Sequence, residues 1–232
     1  MQKQTFISGY AKAGKALFDM AISSDTYYPI WGTCLGRYGY ITTDFSKVNH
    51  YLKISLKIFT SDFTGFELLA YLSNEERPNL KHCSSQQQPL ALNLTDNYHD
   101  SRFAQYTPDD ITDILATQNV TINFHQWCLT PENFAKFQAL SNFWDVLSTN
   151  KDWNGLEFIS LMEAKHYPMW ASQYHPEKNA FEWTRKYPDI PHFKDAIRAA
   201  AHHAEFFVQV SESVFFRKWV IKSLIYDVNL LT

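Results

Sequence analysis

The chain has 232 residues, of which 45% are hydrophobic, and a formal charge of −3 from 21 basic and 24 acidic side chains. That length and apolar content suit a single globular domain with its own core. The charges are scattered without a basic block, which argues against a nucleic-acid footprint, and no apolar run approaches the roughly 18 residues of a membrane span.

The opening MQKQTFISGYAKAGKALFDMA has neither the basic nor the apolar region of a signal peptide. Three cysteines, Cys34, Cys83 and Cys128, cannot all pair with one another, so at least one thiol is expected to be free. None has the CxxC spacing of a zinc site, so no metal is expected; whether Cys83 and Cys128 pair stays open. Two glycosylation sequons, Asn93-Leu94-Thr95 and Asn119-Val120-Thr121, matter only in a secretory context.

In chain order, GYAKAGKALFDMAISSD sets Tyr10, Ala13, Leu17, Phe18 and Ile22 near one helical face, and YYPIWGT reads as a short buried strand. QPLALNLT is strand-like. TPDDITDILATQ opens as a helix with a Thr N-cap and a Pro in its first turn, NVTINFHQW alternates as a strand, and TPENFAKFQAL repeats the capped-helix pattern. FWDVLSTN, EFISLME and PMWASQYH read as strands, with the turn KDWNG making the first two a hairpin beside the main sheet. PHFKDAIRAAAHHAEFFVQVSES is a long amphipathic helix, and the tail VFFRKWVIKSLIYDVNLLT has no assignable pattern. Helices alternating with strands make the class α/β.

Two segments carry chemistry. A cysteine between a buried strand and a helix, flanked by small residues as in GTCLG, suits a nucleophile elbow that lifts the side chain above a sheet and offers N–H groups to an anion. Cys34 is therefore a candidate nucleophile, with a buried inert cysteine as the competing reading. A thiol with a pKa near 8.5 needs a base or a cation beside it to attack a carbonyl. In PMWASQYHPEKNAFEW a histidine ends a strand and a Pro-Glu pair begins a turn, so His175 can be that base and Glu177 can orient it.

YPIWGTCLG, NFHQW, FWDVLSTN, FISLMEAKHYPMWASQYHPEKNAFEW and AHHAEFFV together resemble, in order and spacing, the gamma-glutamyl hydrolases, from about Gly9 to Val208. The resemblance implies a class I glutamine amidotransferase-like, flavodoxin-like fold, a mostly parallel sheet flanked by helices. It also implies cysteine-dependent hydrolysis of gamma-glutamyl bonds in folylpoly-gamma-glutamates through a thioester, without metal or organic cofactor. Carried over residue by residue, Cys34 is the nucleophile, His175 the general base, Glu177 the third member and His125 of NFHQW a second histidine on the substrate side, with a hydrogen-bonded strand-end histidine as the competing reading of His125. The family is lysosomal or secreted and typically dimeric, which would give Asn93 and Asn119 a purpose as glycan sites. A non-catalytic homologue that binds gamma-glutamylated ligands, and the glutaminase part of a glutamine amidotransferase, are the rival readings.

The resemblance carries two departures. Relatives run from a WGTCLG-like stretch straight into a helix like FELLAYL, whereas here Arg37 to Gly65 intervenes. The segment is rich in residues with A/T-rich codons. A GGT codon at Gly36 and ACA-GGN across Thr64 and Gly65 would supply splice signals, so an in-frame retained intron is the expectation, with a genuine lid or binding loop as the alternative. Relatives also carry a signal peptide, the first sheet strands and a Gly-Gly turn that helps form the oxyanion hole, upstream of SGYAKAGKALF. Residues 1–232 are thus expected to be one domain lacking its first strands, with impaired activity.

Overall fold

The computed structural model describes residues 18–22, 29–33, 39–42, 55–58, 65–74 and 80–229. The strands are β1 (Ile30–Thr33), β2 (Gly39–Thr42), β3 (Ser55–Ile58), β4 (Lys81–Leu90), β5 (Asn93–Leu94), β6 (Thr121–Cys128), β7 (Trp144–Lys151), β8 (Glu157–Ala164) and β9 (Met169–Ser172). The helices are α1 (Gly65–Asn74), α2 (Arg102–Tyr106), α3 (Asp109–Thr117), α4 (Pro131–Lys136), α5 (Gln138–Phe143), α6 (Lys178–Phe181) and α7 (Lys194–Asn229), with a 3-10 turn at Asp96–Tyr98.

Period-two alternation divides the core between two faces of one sheet. Ile30, Met169 and Ala171 point to a layer completed by Phe66, Leu69 and Ala70 of α1, Leu140 of α5, and Phe18 and Ala21. Their neighbours Trp31 and Trp170 point the other way, to Ile111, Ile114 and Leu115 of α3 and Ala196, Ala199 and Phe206 of α7. Trp170 meets Phe206 edge-on at 4.9 Å, and Trp31 sits 6.1 Å from Trp170, the offset geometry aromatic rings prefer. Because both faces of β8 are covered, every residue from Phe158 to Ala164 is buried.

The central sheet has the order β1-β9-β8-β7-β5. The α/β class holds, but the expected mostly parallel sheet is not what the described strands form. Of the four pairings only β1 with β9 is parallel. A parallel pair needs a long crossover, which separates β1 from β9, whereas short turns join β7 to β8 and β8 to β9. The KDWNG hairpin therefore lies inside the sheet rather than beside it. Gly155 supplies the left-handed turn residue at φ +83°, and Asp152 accepts from the backbone N–H of Asn154 (2.9 Å), Leu156 (2.8 Å) and Ser84 (2.6 Å), tying the turn to β4.

Other expectations are corrected by local hydrogen bonding. Thr107 does not cap α3: its hydroxyl donates to the Phe103 carbonyl (2.6 Å) and accepts from His202 Nε2 (2.9 Å), and Pro108 is the N-cap. Thr130 does cap α4, receiving the Asn133 N–H, but the helix breaks at extended Phe137 and restarts as α5. The tail without an assignable pattern continues α7 to Asn229. Tyr10, Ala13 and Leu17 lie outside the described residues; Phe18 and Ile22 fall in a helical stretch, 18–22. Within the intervening segment, β2 and β3 pair antiparallel, Gly39 opposite Ile58.

Glu163 anchors α2 to the sheet. Its Oε1 accepts from Arg102 N (3.0 Å) and Nε (2.8 Å), and its Oε2 from Phe103 N (2.9 Å) and Trp170 Nε1 (2.7 Å). A buried carboxylate satisfied by four donors is costly to neutralise, since an amide leaves two of them facing an NH2 group. Glu163→Gln is expected to lower unfolding free energy by about 3 kcal/mol, read from the urea midpoint at pH 7.

Candidate functional site

The parallel pairing of β1 and β9 sets up the site. Thr33 is opposite Ser172, so the chain leaves both strands at the same sheet edge. Residues at the carboxyl ends of adjacent parallel strands share the crevice where α/β proteins bind ligands. One strand leads to residue 34 and the other to Gln173, Tyr174 and His175. Cys34 itself lies outside the described residues.

His175 is held on both sides. Its backbone N–H donates to the Ile122 carbonyl of β6 (2.9 Å), and its ring meets that of Phe124 in a T-shaped contact with centroids 5.8 Å apart. The side chain is 1% exposed, and Nδ1 lies 2.7 Å from Glu177 Oε1. A carboxylate accepts only, so Nδ1 carries the proton and Nε2 of the neutral ring keeps its lone pair. That Nε2 is buried without a hydrogen-bond partner among the described residues. Glu177 occupies the N-cap position of α6 but makes no side-chain cap; its carboxylate turns back to the histidine, with Oε2 buried and without a hydrogen-bond partner among the described residues. Asn179 fixes the following turn by donating to the Val120 (2.9 Å) and Pro191 (3.0 Å) carbonyls.

His125 sits near His175 but is enclosed. Burial, and secondarily the proximity of the His175 imidazole, lower its pKa to about 3, so its ring is neutral. The amide of Asn123 donates to the carbonyls of Gln88 (3.2 Å) and Thr121 (3.3 Å), which turns Oδ1 toward His125 Nε2 at 3.1 Å. Nε2 must then carry the hydrogen, leaving a lone pair on Nδ1. That lone pair faces Cys83 Sγ at 3.4 Å and Cys128 Sγ at 3.2 Å. The two cysteines, whose pairing the sequence left open, form a disulfide with Cα atoms 6.0 Å apart. Both ring nitrogens of His125 are thus engaged inside the protein.

Sequence reasoning missed Asn123, the two sulfurs around His125, and Gln173, whose buried side-chain atoms have no partner among the described residues. Asn123 lies two positions before His125 on β6, the one signal that could have named it. Cys83 is set by a bulge: His82 pairs with Trp127 and Ser85 with His125, so Cys83 and Ser84 stand opposite Gln126 alone. Asn93 and Asn119 are exposed, on β5 and just before β6.

No family model matches the chain. Among curated proteins, it is 34% identical over 229 residues to the gamma-glutamyl hydrolase of Mus musculus, covering 96% of this chain and 62% of the mouse protein. By sequence, the chain is similar to the gamma-glutamyl hydrolases over most of its length. The Homo sapiens gamma-glutamyl hydrolase is 34% identical over 204 residues, 87% of this chain and 54% of the human protein. Gamma-glutamyl hydrolase 1 of Arabidopsis thaliana is 31% identical over 205 residues, 80% of this chain and 58% of the plant protein. The chain therefore spans a little over half the length of these relatives.

Proposed function

We propose that this chain, similar in sequence to gamma-glutamyl hydrolases, is a thiol hydrolase of gamma-glutamyl bonds in folylpoly-gamma-glutamates. The supporting observation is the β1–β9 register, which ends both strands at one sheet edge, with His175 Nε2 buried without a partner among the described residues and Nδ1 bound to Glu177. In this reading Nε2 takes the Cys34 thiol proton and the thiolate attacks the gamma-carbonyl carbon. Backbone N–H groups stabilise the oxyanion. Collapse breaks the C–N bond as Nε2–H protonates the leaving amine, giving a thioester on Cys34. Water, deprotonated by Nε2, attacks the thioester, and the thiol leaves with the proton.

His125 belongs to the substrate side through its place beside His175 rather than through a free ring nitrogen. No step calls for a metal or organic cofactor. The reading includes a lysosomal or secreted homodimer with glycans on Asn93 and Asn119. The segment from Arg37 to Gly65 is proposed to be an insertion that separates the elbow from α1 and so impairs activity, since small misplacements of reacting groups are costly.

The deciding experiment compares a folyl-tri-gamma-glutamate with free glutamine, using Cys34→Ala as the blank. Release of shortened folate dependent on Cys34, increased when residues 37–65 are deleted, is expected. Turnover of glutamine alone would move the chain to the glutaminases, and binding of the folate peptide without turnover in either form would make it a binding homologue.

A further inference from the structure

We propose that Cys83, His125 and Cys128 form a redox-gated zinc site: a disulfide when oxidised, and a Cys2His ligand set once the disulfide is reduced. The inference is independent of the hydrolase reading.

Three observations support it. The ligand atoms of these three buried residues lie within 4.8 Å of one another. The Nδ1 lone pair of His125 is aimed at both sulfurs because Asn123, fixed by two backbone carbonyls, holds the hydrogen on Nε2. That is the arrangement by which an outer hydrogen bond fixes the tautomer of a ligating histidine. The distances also fit. With zinc about 2.3 Å from sulfur and about 2.0 Å from nitrogen, tetrahedral geometry puts each sulfur about 3.5 Å from the nitrogen and the sulfurs about 3.8 Å apart. Nδ1 already stands 3.2 and 3.4 Å from the sulfurs, so only they need to separate.

Charge favours the same ion. Zn2+ with two thiolates and a neutral imidazole is a neutral set, so it can be held among these buried side chains, beside Phe158, without a counterion. A fourth position remains for water. A dithiol reductant converts the disulfide to two thiols and is itself oxidised to a disulfide; metal binding then expels the two thiol protons.

The test uses the full chain carrying Cys34→Ala, which leaves Cys83 and Cys128 as its only thiols. After reduction and removal of the reductant, Co2+ is expected to bind one per chain with a thiolate charge-transfer band that Zn2+ displaces. The oxidised protein is expected to show none, and Cys83→Ser and Cys128→Ser to abolish the band. As a second readout, a thiol titrant should find two reactive groups without zinc and fewer than one with it, and zinc should raise the melting temperature of the reduced protein alone. A reduced protein that keeps its far-ultraviolet spectrum but takes up no cobalt overturns the proposal, as does binding that survives Cys83→Ser. Reduced protein that unfolds and is not restored by zinc also overturns it, because the site needs β4 and β6 held in register.

Discussion

Replacing His175 by Asn is expected to lower kcat/KM on a folyl-gamma-glutamate peptide by roughly a thousandfold, within the range a general base contributes. That corresponds to about 4 kcal/mol of transition-state stabilisation. The reason is the lone pair on Nε2, which the shorter amide cannot supply. Glu177→Ala is expected to cost about a hundredfold, the lower end of that range, because it removes the acceptor that holds Nδ1–H but leaves the Nε2 base in place. Parallel kinetics on the two variants check both numbers. Equal losses would mean that Glu177 does more than hold the tautomer, and an intact His175→Asn enzyme would remove His175 from the mechanism.

The sequence disclosed those elements whose pattern is local. The Thr130 cap, the Gly155 turn and the strand character of β6 and β8 follow from neighbouring residues alone, and so does the His175–Glu177 contact, two positions apart. What it hid depends on distant partners. Thr107 has the local chemistry of an N-cap, but its hydroxyl is claimed by Phe103 and by His202, 95 residues away. The sheet was expected to be mostly parallel because the family resemblance carries that topology, while pairing direction among the described strands is set by connection length. Cys83 and Cys128 are 45 residues apart and meet only because β4 bulges against β6. Glu163 gave no sequence signal, since three of its four donors are backbone or side-chain groups of Arg102 and Phe103, about 60 positions away.

Acidification from pH 7 to pH 5 is expected to destabilise the fold by about 4 kcal/mol through two buried histidines. Burial lowers His125 to about 3 and His203 to about 4, against about 6.5 for an unfolded imidazole. His203 has no room to gain a proton: Nδ1–H donates to the Ala199 carbonyl (2.6 Å), so Nε2 must accept from Tyr174 Oη (2.8 Å). A folded pKa below the unfolded one means that the unfolded chain binds protons first. The contribution is therefore full above about pH 6.5 and is lost as pH falls toward the folded values, at about 1.4 kcal/mol per pH unit for each histidine. At pH 5, 1.5 units below the unfolded pKa, each costs about 2 kcal/mol. Urea midpoints between pH 5 and 7 measure the slope. His203→Gln lowers absolute stability by breaking the Tyr174 contact, but it should also remove about 1.4 kcal/mol per pH unit of slope, which a merely structural defect would leave in place. An unchanged slope would mean that His203 takes up its proton in the folded state, requiring either the Tyr174 hydroxyl or the Ala199 carbonyl to give way.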